Sequence, residues 1–272
     1  MVWQAFDGFI ADDGWAIASH IALSALMALF PFLIIVTALA GFLGTKGLAD
    51  QVAQLLLDTW PRQVAEPIAA EVHHVLTTAR GDVLTIGAVL ALYFAASGIE
   101  SLRIALNRAY RVTENRSWWM LRLESIGYVL VAAVVALALA FLIVLGPLMF
   151  ATARRYLPWL EPLEANFTFA RYAITTTALI VTLVLVHKWL PAGRRRLVEI
   201  APGIAVTILL SLASGAAFSA YLARFAEAYV TTYAGLASAM VALVFLYFIA
   251  AIFVYGGELN AVIMKSRLRR HA

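Results

Sequence analysis

AGLASAMVALVFLYFIAAIFVYGGELNA, residues 234–261, carries no charged side chain before Glu258, which ends an uncharged run that includes Tyr229 to Gly257. A helix gains about 1.5 Å per residue, so about 20 mostly apolar residues cross about 30 Å of hydrocarbon with every backbone polar group paired inside the segment. This stretch reads as a membrane span. Five further apolar stretches meet or approach the same standard, at residues 18–43, 83–102, 126–150, 172–190 and 200–222. The fourth is the shortest, since Arg171 and His187 leave Tyr172 to Val186 between them, with Thr175, Thr176 and Thr177 inside; snorkelling of Arg171 and Lys188 extends its reach. Composition agrees: 63% of residues are hydrophobic and 13% charged, against roughly 45–50% and 25% in a soluble domain. The expected fold is all-α, a single domain over residues 1–272 built as a polytopic bundle of six transmembrane helices.

The basic residues orient the bundle, because cytoplasmic loops carry the excess of Lys and Arg. Thirteen of the twenty fall on one side: Arg103, Arg108, Arg111, Arg116 and Arg122 after the second span, Lys188, Arg194, Arg195 and Arg196 after the fourth, and Lys265, Arg267, Arg269 and Arg270 in the tail. Seven fall on the other: Lys46, Arg62, Arg80, Arg154, Arg155, Arg171 and Arg224. Both termini are therefore expected in the cytoplasm. The first segment offers Asp7, Asp12 and Asp13 and no basic residue, which is unlike the positive start of a cleaved signal peptide. Cysteine is absent, excluding disulfides and thiolate metal sites. The net charge of +4 is assigned to anionic lipid headgroups, worth about 1 kcal/mol per basic residue near the surface, and nucleic acid is not an expected partner.

The longest connection, residues 45–82, is read as an extracytoplasmic helical cap. Val64, Ile68, Val72, Val75 and Leu76 recur at helix spacing, and Trp60-Pro61 divides them from the apolar run at 52–57. It serves either as a cover or as a gate or docking lid. In the connection from Arg154 to Arg171, Tyr156, Pro158, Trp159 and Pro162 suit the headgroup layer.

Short patterns run in order along nearly the whole chain: Phe30-Pro31-Phe32, Asn107-Arg108-Ala109-Tyr110, Trp189-Leu190-Pro191, Pro202-Gly203, Tyr233-Ala234-Gly235-Leu236-Ala237, and Gly256-Gly257-Glu258-Leu259-Asn260-Ala261. In this order the chain resembles the YihY/BrkB family of bacterial inner-membrane proteins, formerly labelled ribonuclease BN. Tyr233-Ala234-Gly235 departs from the family, which places Tyr next to Gly. The resemblance implies six helices with both ends inside, a multi-pass inner-membrane location, and no settled activity.

Glu258 is the sharpest single residue. It lies near the cytoplasmic end of its helix, where the dipole disfavours a carboxylate, so a compensating partner is expected. Arg103 and Asn107 share a helix face with Glu100, and the expectation is that Glu258 and Asn260 meet Arg103 or Asn107 across the second and sixth spans. Such a group is either a static pair that fixes packing or a proton- or ion-coupling carboxylate. Pro31 marks a hinge in the first span. Ser211, Gly215 and Ser219, and Gly87, Ala91 and Ala95, repeat every four residues as close-packing faces. His20, Ser24, Thr37, Tyr93, Ser97, Thr207, Ser211 and Ser214 are the polar groups available to line a cavity reaching the midplane.

No metal site or cofactor is expected. His73 and His74 project about 100° apart on a helix and cannot chelate one ion together. No phosphate-binding loop, nucleophile elbow or aromatic-and-basic RNA platform occurs, so neither an enzyme nor a ribonuclease is expected. The readings carried forward are a transporter or permease-like protein for an ion, small solute or lipid, and a non-transporting envelope scaffold. The expected partner is the bilayer, with a second copy of the chain or another envelope protein as further candidates.

Overall fold

The computed structural model describes residues 1–42, 81–140, 142–143, 146–193, 195–233 and 237–271. The described residues are helical with short connections: α1 (Val2–Ala11), α2 (Gly14–Phe42), α3 (Gly81–Ala109), α4 (Trp118–Ala140), α5 (Gly146–Tyr156), a 3-10 helix (Pro158–Leu163), α6 (Glu164–Trp189), α7 (Leu197–Tyr233) and α8 (Ala237–His271). Five of them are long and apolar enough to cross a membrane, over Ile86–Ala109, Trp118–Leu139, Glu164–Trp189, Leu197–Arg224 and Ala239–Arg267. The described apolar part of α2 is shorter, Gly14–Leu29. The cap expected at 45–82 lies outside the described residues except at its last two positions, and so do the side chains of Pro31 and Thr37.

The helices extend beyond two of the expected stretches. That of the third starts at Trp118, upstream of 126, so Arg122 and Glu124 belong to the helix and not to the loop before it. Both charges are tolerated there because each has an ion partner, Glu100 for Arg122 and Arg116 for Glu124. That of the fourth starts at Glu164, giving 26 residues with Arg171 inside. Arg171 places its guanidinium 4.8 Å from the Tyr172 ring centroid. Tyr156 and Trp159 are exposed in the short helices before it, as rings suited to the headgroup layer should be.

Packing is densest where α2, α3 and α8 meet, with α7 on α8, α4 on α3 and α6 on α7. The core joins Ala18 and Ile21 of α2, Ala105 and Leu106 of α3, Leu190, and Ala250, Ala251, Phe253 and Val254 of α8. Side-chain bonds bring the N-terminal ends of α2, α4 and α7 together with the C-terminal ends of α3, α6 and α8. Successive long helices therefore alternate in direction, and among the described residues the buried charged side chains lie at one pole of the bundle.

The first helix, α1, is an addition to the sequence reading. Ala5 and Phe9, four residues apart, are buried against the bundle, whereas Val2, Trp3, Phe6 and Ile10 stay exposed. Asp13 takes a left-handed φ of 57° and turns the chain into α2; Asp is one of the few side chains that adopts this conformation readily. Gly14 follows because a Cβ there would stand 2.5 Å from the Phe9 ring. At the facing end of α3, Arg111 is also left-handed at 54°, and Val112 N–H bonds Asn107 O while Arg111 N–H bonds Arg108 O. That is a Schellman cap with Arg where Gly is usual.

Candidate functional site

The sequence-predicted residues gather at this pole, but in different pairs from those expected. Arg103 is buried and turns to α4: it donates to Ser125 Oγ at 2.8 Å and to Leu121 O at 3.2 Å, with Glu124 at 3.8 Å. Glu100, on the same face of α3, pairs with Arg122 of α4 at 3.0 Å. Asn107 donates to Glu114 Oε2 at 3.2 Å, and its Oδ1 accepts the Ala192 N–H at 2.8 Å. The shared face of Glu100, Arg103 and Asn107 thus looks toward α4 and the α3–α4 turn, away from α8.

Glu258 meets neither Arg103 nor Asn107, which corrects the expected pairing. Its side chain lies against α1, where a Cβ on Gly8 would come 2.6 Å from Glu258 Oε2. The physical reason is that α1 covers this face of α8, and that helix was missing from the sequence reading. Asn260 turns to another neighbour: its Oδ1 accepts the Gly203 N–H at 2.6 Å, and its Nδ2 donates to the Tyr110 hydroxyl at 3.4 Å.

Around these residues runs a network that sequence reasoning missed. Arg116 donates to Glu114 Oε1 and Oε2, each at 2.8 Å, to Glu124 Oε2 at 2.7 Å and to Leu190 O at 3.1 Å, so one fork ties the α3–α4 turn, α4 and the end of α6. The Arg195 guanidinium sits 3.9 Å from the Tyr110 ring centroid and donates to Ala192 O at 2.9 Å. Burial pushes the Tyr110 hydroxyl up to about 12, which keeps it neutral as an acceptor for Asn260. Only the order of Arg and Glu residues between 100 and 124 hinted at this network, and order does not assign partners.

Glu114 gives this network a pH dependence. The hydrogen bonds from Arg116 hold its carboxyl below the ordinary 4.5, at about 2. A depressed carboxylate stabilises the fold fully above its unfolded value and loses that contribution as pH falls through the folded one. The difference in melting temperature between wild type and Glu114→Gln should therefore be constant near neutrality and shrink between 4.5 and about 2. A difference that grows on acidification would contradict the assignment.

The residues expected to line a cavity separate into three places. His20 Nδ1 lies 2.7 Å from Ser101 Oγ and 3.5 Å from Ser24 Oγ, and Ser101 donates to Ser97 O, all at the α2–α3 crossing. Thr207 is buried at the α7–α8 crossing, with Ser211 and Ser214 half-buried further along α7. Tyr93 is 57% exposed, with the Arg122 guanidinium 4.7 Å from its ring centroid. Ser24 and Thr207 are thus packed between helices. Among the described residues, no group of three His, Asp or Glu side chains is placed to hold a metal ion.

Comparison with known proteins adds two findings. The family model described as virulence factor BrkB matches residues 5–272. The chain is also similar to the putative ribonuclease-like protein YfkH of Bacillus subtilis (strain 168), with 25% identity over 265 residues that cover 97% of this chain and 95% of that protein. No solved structure matches the chain.

Proposed function

The chain belongs to the BrkB family, and from that premise we propose that it is a six-span protein of the bacterial inner membrane, with both termini cytoplasmic, that moves an ion, a small solute or a lipid. The observation that carries this reading is the burial of Arg103, Asn107, Glu258 and Asn260 on helices long and apolar enough to span. Ionisable groups are costly within a bilayer and concentrate along the paths of transported species. The alternating directions of α2, α3, α4, α6, α7 and α8 support a sixth crossing by α2, and the thirteen basic residues support a cytoplasmic assignment for the buried-charge pole.

A second reading, an envelope scaffold, is favoured by a different observation. Ser24 and Thr207 are committed to helix contacts, and the apolar windows of α4 and α6 hold almost no fully buried residue. Such faces suit lipid, a second copy or another envelope protein. In either reading the protein is proposed to be no enzyme; the words ribonuclease-like in the relative's name are not carried over, because the residues suggest no nuclease chemistry.

Both parts of the proposal are testable in sealed vesicles. The chain has no cysteine, so Ala272→Cys introduces a unique thiol. In intact spheroplasts it should resist a membrane-impermeant maleimide and react after permeabilisation; labelling without permeabilisation would overturn the orientation. Vesicles containing the purified protein should release or take up at least one of a panel of protons, alkali cations, small anions and fluorescent phospholipids faster than empty vesicles. Rates equal to those of empty vesicles across the panel would leave the scaffold reading in its place.

A further inference from the structure

The contact between α1 and α8 has an unbalanced hydrogen-bond count. Gly8 and Asp12 stand four residues apart on one face of α1, joined by the Asp12 N–H to Gly8 O bond at 2.9 Å. That face lies on Glu258: Gly8 approaches its Oε2, and Asp12 stands one helical turn further along the same face. Both residues are more than nine-tenths buried, Asp12 at 8% exposure and Glu258 at 3%. Asp12 Oδ1 accepts from Arg111 Nη1 at 2.5 Å. Asp12 Oδ2 and Glu258 Oε1, by contrast, are buried with no hydrogen-bond partner. An ionised carboxylate can only accept, so two adjoining anions have no donor between them and repel each other in a poorly solvated site. One proton removes both faults at once.

We infer that Asp12 and Glu258 form a proton-binding site in which Glu258, as a carboxylic acid, donates its O–H to the ionised Asp12 and so clasps α1 to α8. The proton is placed on Glu258 because Arg111 already neutralises Asp12. The other polar groups around the clasp are engaged elsewhere. On α3, Arg108 donates to Asp12 O and pairs with exposed Asp13. Tyr255 on α8 donates to Val2 O, and Tyr110 accepts from Asn260. Loss of the proton to solvent leaves two anions facing each other, and their repulsion then works against the packing of Phe9 and Ala5, the Tyr255 bond and the Arg108 and Arg111 contacts that hold α1. The clasp is therefore closed at lower pH and opens as pH rises. This inference stands whether or not the protein transports anything.

Two measurements on the full chain in detergent test it. Infrared difference spectra between about pH 7 and about pH 10 should contain the carbonyl band of a buried carboxylic acid, and Glu258→Gln should abolish it. Glu258→Gln should also keep α1 docked, since its carboxamide N–H can donate to Asp12 Oδ2 as the acid O–H does. Docking is read from the labelling rate of Ala5→Cys, a buried position, divided by that of Gln4→Cys, an exposed one. One-proton linkage makes this ratio climb by up to about tenfold per pH unit while docked Glu258 holds its proton and the undocked form has released it, level off once the docked form is also deprotonated, and stay flat with pH in Glu258→Gln. If Glu258→Gln does not fold, Asp12→Asn, whose carboxamide can donate to Glu258 Oε1, should abolish the band and the pH dependence equally. A carboxylic-acid band that survives Glu258→Gln or its substitute, or a ratio with the same pH dependence in wild type and variant, overturns the site. So does a ratio that falls only on addition of sodium or potassium, which would make it a cation site.

Discussion

Gly203→Ala is expected to destabilise the protein by about 4 kcal/mol, combining overpacking of about 1–3 with a stranded buried N–H of about 1–3. At the crossing of α7 and α8, a Cβ on Gly203 would lie 2.1 Å from the backbone oxygen of Gly256 and 2.5 Å from Asn260 Cγ. A side chain can rotate away from such a contact, but a helix backbone cannot. The helices must separate, and separation breaks the 2.6 Å bond from Gly203 N–H to Asn260 Oδ1. Gly256→Ala should cost less, because its nearest obstacle at 2.1 Å is Thr207 Oγ1, the movable end of a side chain. Thr207→Ala should therefore rescue part of Gly256→Ala and none of Gly203→Ala. Gly215→Ala supplies the control: nothing lies within 4 Å of a Cβ there, and alanine is about 1 kcal/mol better than glycine in a helix. Reversible unfolding in mixed micelles measures all four. A Gly203→Ala protein within about 0.5 kcal/mol of wild type would mean that this crossing is not the tight contact described.

The same crossing explains why some of the site was legible in the sequence and some was not. Apolar length and the placement of Lys and Arg follow from the solvent around each helix, so they survive translation into sequence patterns; α3, α7 and α8 lie close to the expected residues. Small residues at four-residue spacing announced close packing, but in the stripe Ser211-Gly215-Ser219 nothing lies within 4 Å of a Cβ on Gly215. Among the described residues the closest approaches are at Gly203 and Gly256, found beside Pro202 and Gly257 where glycine also passes for an end signal. Partner choice failed most. Glu258, Asn260, Arg103 and Asn107 were recognised as a group, yet which side chains touch depends on rotation of each helix about its axis. A rotation of one position, about 100°, sends Arg103 to α4 instead of α8. The N-terminal helix escaped notice because ten residues are too few to span, although Trp3, Phe6, Phe9 and Ile10 recur at helical spacing. Its omission left Glu258 without its actual neighbour.

Arg103→Ala is expected to cost about 3 kcal/mol, the loss associated with breaking a buried charge network by removing one member. The side chain is 4% exposed, and its Nη2 supplies the donors for Ser125 Oγ and Leu121 O. Ser125 is fully buried, so water cannot replace the guanidinium there without opening the α3–α4 contact. Glu124 keeps Arg116 at 2.7 Å, and this limits the damage to the loss of one cation instead of the whole ion cluster. Arg103→Lys should recover only part of the loss, because its ammonium sits one bond nearer the backbone than Nη2 and is more strongly hydrated than a guanidinium. Double-mutant cycles decide the partners. Arg103→Ala combined with Ser125→Ala or Glu124→Gln should show coupling above about 0.5 kcal/mol, whereas combination with Glu258→Gln should be additive within about 0.5 kcal/mol. Exchanging the charges of Arg103 and Glu258 should accordingly fail to restore stability, since each would arrive among the other's neighbours. Strong coupling between Arg103 and Glu258 would instead mean that α8 is rotated toward α3 and that α1 does not cover it.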